Sequence, residues 1–250
     1  MYENKIKEIE ILQKEIRQFR PLKPKELKKL KEYFRVGLTY SSNSIEGNSL
    51  TETETKIILE EGITIGGKSL RDHYEVSGHS DSYNLMYKLA KNKEITEKDI
   101  LKLHKLFYYR INIKKAGKYR KEQVFITGTD FVPPKAENIH PLMKEFIQHL
   151  SELRETKNPV EFAAIIHKEL VTIHPFVDGN GRCARLLMNL AFLQDGYPIV
   201  IIPPILRNDY ISAIKKTQVT PKDDKPFINF ISSMVYESQK DYLRMLNNLD

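Results

Sequence analysis

His174-Pro175-Phe176-Val177-Asp178-Gly179-Asn180-Gly181-Arg182-Cys183-Ala184-Arg185 joins two helical patterns, and the rest of the chain is organised around it. Pro175 disfavours α conformation at the residue before it, so His174 belongs at the exit of the incoming helix. Gly179-Asn180-Gly181 can adopt positive φ and turn successive backbone N–H groups outward. Those groups then lie at the start of the next helix, where an anion is favoured. Arg182 and Arg185 are three apart and share a face of that helix. Two guanidinium groups beside such a nest suit a polyphosphate. Asp178 offers an oxygen ligand of the type Mg²⁺ prefers. Histidine titrates near neutrality and suits general-base work, which gives His174 a role. Singly, each feature is ordinary in a helix–loop–helix turn. Together they point to a base beside a phosphate site.

The flanks of this stretch are helical. Asn158-Pro159-x-Glu161 predicts a helix start with an N-cap, proline at the first position and glutamate at the third. That helix runs to about Ile173, and the next from about Gly181 to Gln194. Upstream, Ile6, Ile9, Leu12, Ile16 and Phe19 mark a first amphipathic helix, broken by Pro21 and Pro24. Leu27, Leu30, Phe34 and Leu38 mark a second that continues through Ser42 and Ile45 to a stop at Gly47-Asn48. Thr51-x-x-Glu54 opens a third that Gly62 ends. Further helices are expected at about 69–90, 96–110, 139–154, 208–218 and 226–247. Residues 119–134 differ. Val124-Phe125-Ile126 is rich in β-formers, Thr127-Gly128-Thr129-Asp130 reads as a turn, and Phe131-Val132 precedes two prolines, so a short hairpin is expected. The fold class is mainly α, with about ten helices and one β-hairpin.

The 250 residues carry a net charge of +7, and 40% are hydrophobic, enough for a core. Residues 1–35 hold 11 Lys or Arg against six Glu, but the signs alternate along a helical pattern. A solvated helix face explains them, and nucleic acid is not an expected partner. The one cysteine, Cys183, allows neither an intramolecular disulfide nor a cysteine-based zinc site. No apolar run approaches membrane-spanning length. A soluble, cytoplasmic chain is the expectation. Gly62-x-x-x-x-Gly67-Lys68-Ser69 matches the P-loop letters, yet the preceding residues read as helix rather than the buried strand a P-loop requires. His73, His79 and Asp81 fit no familiar metal spacing and read as surface residues.

The segment from His174 to Arg185 resembles the signature of Fic-domain proteins, His-x-Phe-x-Asp/Glu-Gly-Asn-Gly-Arg-x-x-Arg, at every specified position. Most such proteins move AMP from ATP to a Ser, Thr or Tyr hydroxyl of a target protein, and many modify themselves. The resemblance covers about residues 36–235 and implies a helical fold with a β-hairpin flap. It implies that His174 deprotonates the target hydroxyl and that Asp178 holds Mg²⁺ (or Mn²⁺). Gly179, Asn180 and Gly181 would cradle phosphate oxygens, with the backbone of Cys183 and Ala184 following, and Arg182 and Arg185 would bind the β- and γ-phosphates. Val124, Phe125, Ile126, Thr127 and Gly128 fall where the family's flap lines the nucleotide site. Tyr210 and Gln218 fall where it contacts adenine.

Ser42-Asn43-Ser44-Ile45-Glu46-Gly47 is similar to the inhibitory motif of many Fic proteins. Ser42 and Glu46 lie one turn apart on one helix face. By spacing alone Glu46 is an ordinary surface glutamate; the resemblance implies that it pairs with Arg185 and takes the place of the γ-phosphate. On this reading residues 1–35 are a helical extension and 36–250 the Fic domain, with the inhibitory helix at 36–47. Dimerisation is common in the family, so a homodimer is open. Other functions stay open beside the adenylyltransferase: a hydrolase that removes AMP using Glu46, a P-loop-like NTPase, and a non-catalytic protein that senses ATP.

Overall fold

A computed structural model describes residues 2–126, 129–219 and 223–249. It contains ten α-helices among those residues: α1 Tyr2–Gln18, α2 Pro24–Ile45, α3 Glu52–Glu61, α4 Leu70–Leu89, α5 Glu97–Tyr108, α6 Ile139–Thr156, α7 Pro159–Ile173, α8 Asn180–Gln194, α9 Arg207–Val219 and α10 Lys225–Leu246. The local signals act as their chemistry dictates. Asn158 caps α7 by accepting from the N–H groups of Val160 and Glu161, and Glu161 returns the bond. Thr51 and Glu54 form the same reciprocal box on α3, and Gly62 ends that helix in the left-handed conformation.

Helix α8 is the centre of the molecule. Eleven consecutive residues from Arg182 to Phe192 are buried, so this helix has no solvent face. α7 packs along it, with α4 and α5 against it, and α2 reaches both α4 and α8. On the far side α10 packs against α7 and α9 and covers α1. Ile9 and Ile16 of α1 are fully buried in the same apolar cluster as α7 and α8. Gln13 adds a bond to the Gly196 carbonyl. α2 runs unbroken across residues 35 and 36. No helix among the described residues is long and apolar enough to cross a membrane.

The hairpin expected at 119–134 is not formed: no strand occurs among the described residues, and Thr127 and Gly128 lie outside them. The reason is visible in the bonds. Pro133 and Pro134 have no N–H to give a ladder. The Phe131 N–H goes to Thr129 Oγ1 instead. The two arms are joined by side chains: Gln123 Nε2 reaches the Val124 and Pro133 carbonyls, and Arg120 Nη2 reaches the Pro134 carbonyl. Two short arms without a third strand gain little from pairing.

Candidate active site

His174 is the C-cap of α7 and the one non-glycine residue with positive φ among those described, at φ 52°. Pro175 forbids continuation of the helix, and the left-handed turn directs the chain toward α8. Such a conformation is uncommon for a residue bearing a Cβ and needs support from its surroundings. Arg120 supplies it. Its Nε donates to the His174 carbonyl at 2.9 Å, and its backbone N–H donates to the Pro175 carbonyl at 2.9 Å. The His174 ring places Nδ1 3.2 Å from the Val171 carbonyl. A carbonyl only accepts, so Nδ1 carries the proton there and Nε2 is left as the acceptor. Burial is the largest influence on this ring and lowers its pKa below the ordinary 6.5; Arg120 adds to it.

Gly179, with φ 82°, caps α8. The loop before it is held by two side chains, Asn180 and His104. Asn180 Oδ1 accepts from the Phe176 N–H and Asn180 Nδ2 donates to the Phe176 carbonyl, each at 2.9 Å. The Asn180 side chain therefore shapes the loop rather than facing a ligand. His104 stacks on Phe176, with ring centroids 3.7 Å apart and planes 3° off parallel. Its Nδ1 accepts from the Gly117 N–H at 3.0 Å, so Nε2 donates to the Asp178 carbonyl, also at 3.0 Å. Burial brings the His104 pKa down to about 4, which keeps that neutral tautomer in place.

The two arginines are buried; every nitrogen of Arg185 is bonded, whereas Arg182 Nε has no partner among the described residues. Arg185 Nε donates to Ser42 Oγ at 2.9 Å, and Nη2 donates both to the Ser42 carbonyl at 2.8 Å and to Glu46 Oε1 at 2.7 Å. Nη1 reaches the Tyr210 hydroxyl at 3.2 Å. Both residues of the α2 motif thus converge on Arg185. Burial opposes the Glu46 charge, but Arg185 and Arg182 outweigh it and hold the carboxyl below its ordinary value. Arg182 lies within 3.1 Å of Glu75 and 3.3 Å of Asp178, over the face of Phe107. Asp178 Oδ1 also accepts from the Gly179 N–H at 2.6 Å.

A cavity of about 210 Å³ opens beside this cluster, walled by Glu46, Ile126, His174, Gly181, Tyr210 and Gln218 among others. Gly181 is helical, not a positive-φ residue as the sequence suggested. Its glycine answers a close approach: a Cβ there would stand 2.3 Å from Glu46 Oε1. Cys183 and Ala184 turn their side chains into the core, and burial pushes the Cys183 thiol up to about 12. Phe125 is 81% exposed and lines a separate groove with Arg120 and Val132, and Val124 is half-buried. Tyr210 faces the cavity yet its hydroxyl is taken by Arg185 and by His167 Nε2 at 3.1 Å.

Sequence reasoning passed over Arg71, Glu75, His104 and Arg120. Each stands outside the motif and is brought to it by packing, so no local pattern announces it. The P-loop letters prove a coincidence of caps: Gly62 ends α3, Ser69 caps α4 and Lys68 is held by the Ser49 carbonyl and Glu54. His73 and His79, expected at the surface, are buried. His73 accepts from the Ile65 N–H, and His79 bonds Thr39 Oγ1. In each case a polar partner from another segment offsets part of the cost of burial, although His79 Nε2 has none among the described residues.

The Fic/DOC family model matches residues 94–192. Proteins named Protein adenylyltransferase Fic are 38% identical over 212 residues in Drosophila melanogaster and 39% over 207 residues in Nematostella vectensis. These alignments cover 84% and 82% of this chain, but only 42% and 48% of the relatives, so the chain spans a little under half their length. Two solved structures share the fold across nearly the whole chain. A Fic-domain-containing signalling protein from Bacteroides thetaiotaomicron VPI-5482 superposes with a TM-score of 0.89 at 29% identity, covering 96% of this chain and 98% of its own. Fic-1 from C. elegans superposes with a TM-score of 0.88 at 30% identity, covering 100% of this chain and 74% of its own. The chain belongs to the Fic/DOC family.

Proposed function

We propose that this protein is an adenylyltransferase that moves AMP from ATP to a Ser, Thr or Tyr hydroxyl of a target protein, its own chain included, and that Glu46 restrains it. The observation that carries the reading is the His174 ring. Its Nδ1 is committed to Val171, so Nε2 is the acceptor on the cavity shared with Glu46 and Gly181. In the transfer, a hydroxyl oxygen attacks the α-phosphorus and gives its proton to His174 Nε2. The bond from that phosphorus to the bridging oxygen breaks, and pyrophosphate leaves. Arg182 and Arg185, with the N–H groups at the start of α8, would neutralise the polyphosphate and hold it for attack. Tyr210 and Gln218 would line the adenine side.

The donor set fits a divalent ion. Asp178 is an anionic oxygen ligand, 36% exposed, that already draws two guanidinium groups. One carboxylate completed by substrate phosphates is a common Mg²⁺ arrangement. Bound there, Mg²⁺ or Mn²⁺ would supply further neutralisation of phosphate charge. The Glu46–Arg185 pair occupies the guanidinium that a γ-phosphate would use. Intact mass of Glu46→Gly protein after incubation with ATP and Mg²⁺ tests the reading: a gain of one AMP unit is expected, and none with His174→Ala added. A Glu46→Gly protein no more active than the native chain overturns the restraint by Glu46.

A second reading is favoured by the place of Glu46 on the same cavity as His174. A carboxylate there could take a proton from water as the water oxygen attacks the phosphorus of an AMP-modified target; the bond from that phosphorus to the target oxygen breaks, that oxygen takes up a proton, and AMP leaves. Free AMP formed from AMP-modified protein without ATP supports that hydrolase; its absence refutes it.

A further inference from the structure

Arg71 has no part in the reactions above. It stands in the first turn of α4, and its side chain is 57% exposed. Its Nη2 donates to Asp178 Oδ2 at 2.6 Å, while its Nε donates to Glu75 Oε1 at 3.1 Å. Glu75 also takes Arg182 Nη1 at 3.1 Å, and Arg182 Nη2 lies 3.3 Å from Asp178 Oδ1. Four side chains therefore close a ring of alternating charge. Its inner half is fixed: Arg182 and Glu75 are buried, and Asn48 Nδ2 donates to the other Glu75 oxygen at 3.0 Å. The two oxygens of Asp178 are not equivalent. Oδ1 is committed to the start of α8, with the Gly179 N–H at 2.6 Å. Oδ2 is covered by Arg71, the most exposed member of the ring.

We propose that Arg71 is a built-in counter-cation of the metal ligand: it covers Asp178 Oδ2 until a divalent ion displaces it, and so sets how much metal the site requires. The inference rests on Asp178 being that ligand. A guanidinium and a divalent ion repel one another at a single carboxylate oxygen, so binding of the ion opposes the Arg71 bond. Arg71 is the one able to leave, because its long side chain is mostly in solvent. Exposed ion pairs are weak, so the competition is modest.

The test measures binding of ADP, which lacks the γ-phosphate that Glu46 opposes, by calorimetry over a series of Mn²⁺ concentrations. Arg71→Gln is expected to lower the half-saturating Mn²⁺ about two- to five-fold, with ADP affinity in EDTA unchanged. Arg71→Lys, which keeps the charge, is expected to shift it less. A Mn²⁺ requirement that is unchanged or raised in Arg71→Gln overturns the inference. So does weaker ADP binding in EDTA, which would make Arg71 a phosphate ligand instead. Asp178→Ala separates the two levels: Mn²⁺ dependence that survives it overturns the metal reading as well, whereas dependence that vanishes leaves only the role of Arg71 in question.

Discussion

Gly181→Ala is the substitution that most directly probes the contact between α2 and α8. The added Cβ would stand 2.3 Å from Glu46 Oε1 and 3.1 Å from Arg185 Nη1. That oxygen ends a flexible side chain, so Glu46 gives way and its 2.7 Å bond to Arg185 is lost. A bond between charged groups contributes about 1.5–3 kcal/mol. The Glu46 side chain is 33% exposed, which places the loss near the lower end, about 1.5 kcal/mol. Alanine offsets part of this, since it favours helix over glycine by up to about 1 kcal/mol. The net expectation is a loss of about 0.5–1 kcal/mol in the native background. In a Glu46→Gly background only the 3.1 Å approach to Arg185 Nη1 remains, which a shift of a few tenths of an ångström relieves, and the same substitution should be neutral or stabilise by up to about 1 kcal/mol. Urea unfolding of the four proteins, without nucleotide, completes the cycle; the coupling expected is about 1.5 kcal/mol. It should also depend on pH with a defined sign. Glu46 titrates below its ordinary 4.5 in the folded chain, so the coupling is full above about that pH and fades as pH falls through the lower native value. Equal effects of Gly181→Ala in both backgrounds, within about 0.5 kcal/mol, would refute the contact.

Burial lowers the His174 pKa, so its neutral, proton-accepting form persists below 6.5. The acid limb of kcat/KM for Glu46→Gly protein should therefore lie below pH 6.5, and a limb above it contradicts the buried, neutral ring. Tyr210→Phe removes the acceptor of Arg185 Nη1 and the partner of His167 Nε2, while His167 Nδ1 already has no partner. A loss of about 1–3 kcal/mol in urea unfolding is expected. Lys68→Ala should leave labelled-AMP transfer by Glu46→Gly protein in place, because Lys68 is tied to Ser49 and Glu54; abolition of turnover would return the P-loop reading.

Much of this molecule is written locally. The caps at Thr51, Asn158 and Gly62 act within four residues of themselves, so the helices they bound are legible without any neighbour. The turn from His174 to Arg185 is legible for the same reason: Pro175 and Gly179 set the backbone, and the histidine, the carboxylate and both arginines lie in one short stretch. The expected hairpin failed where local propensity had nothing to pair with. The β-forming residues 124–126 are present, but the opposing arm carries two prolines, and side chains of Gln123 and Arg120 take the carbonyls a ladder would use.

What the sequence determined by itself is which chemical groups this protein holds at one helix junction: a histidine, an aspartate, a glycine turn and two arginines. Which partners those groups meet was decided only by tertiary structure. Spacing leaves Glu46 a surface glutamate; the crossing of α2 over α8 brings its carboxylate to Arg185, 139 residues away. The same packing sets Arg71 on Asp178 across 107 residues and His104 beneath the loop across 74. A helical pattern records which face is apolar, but not which helix will lie against it. The charge on a side chain is local, whereas the burial and neighbours that tune it come from the fold.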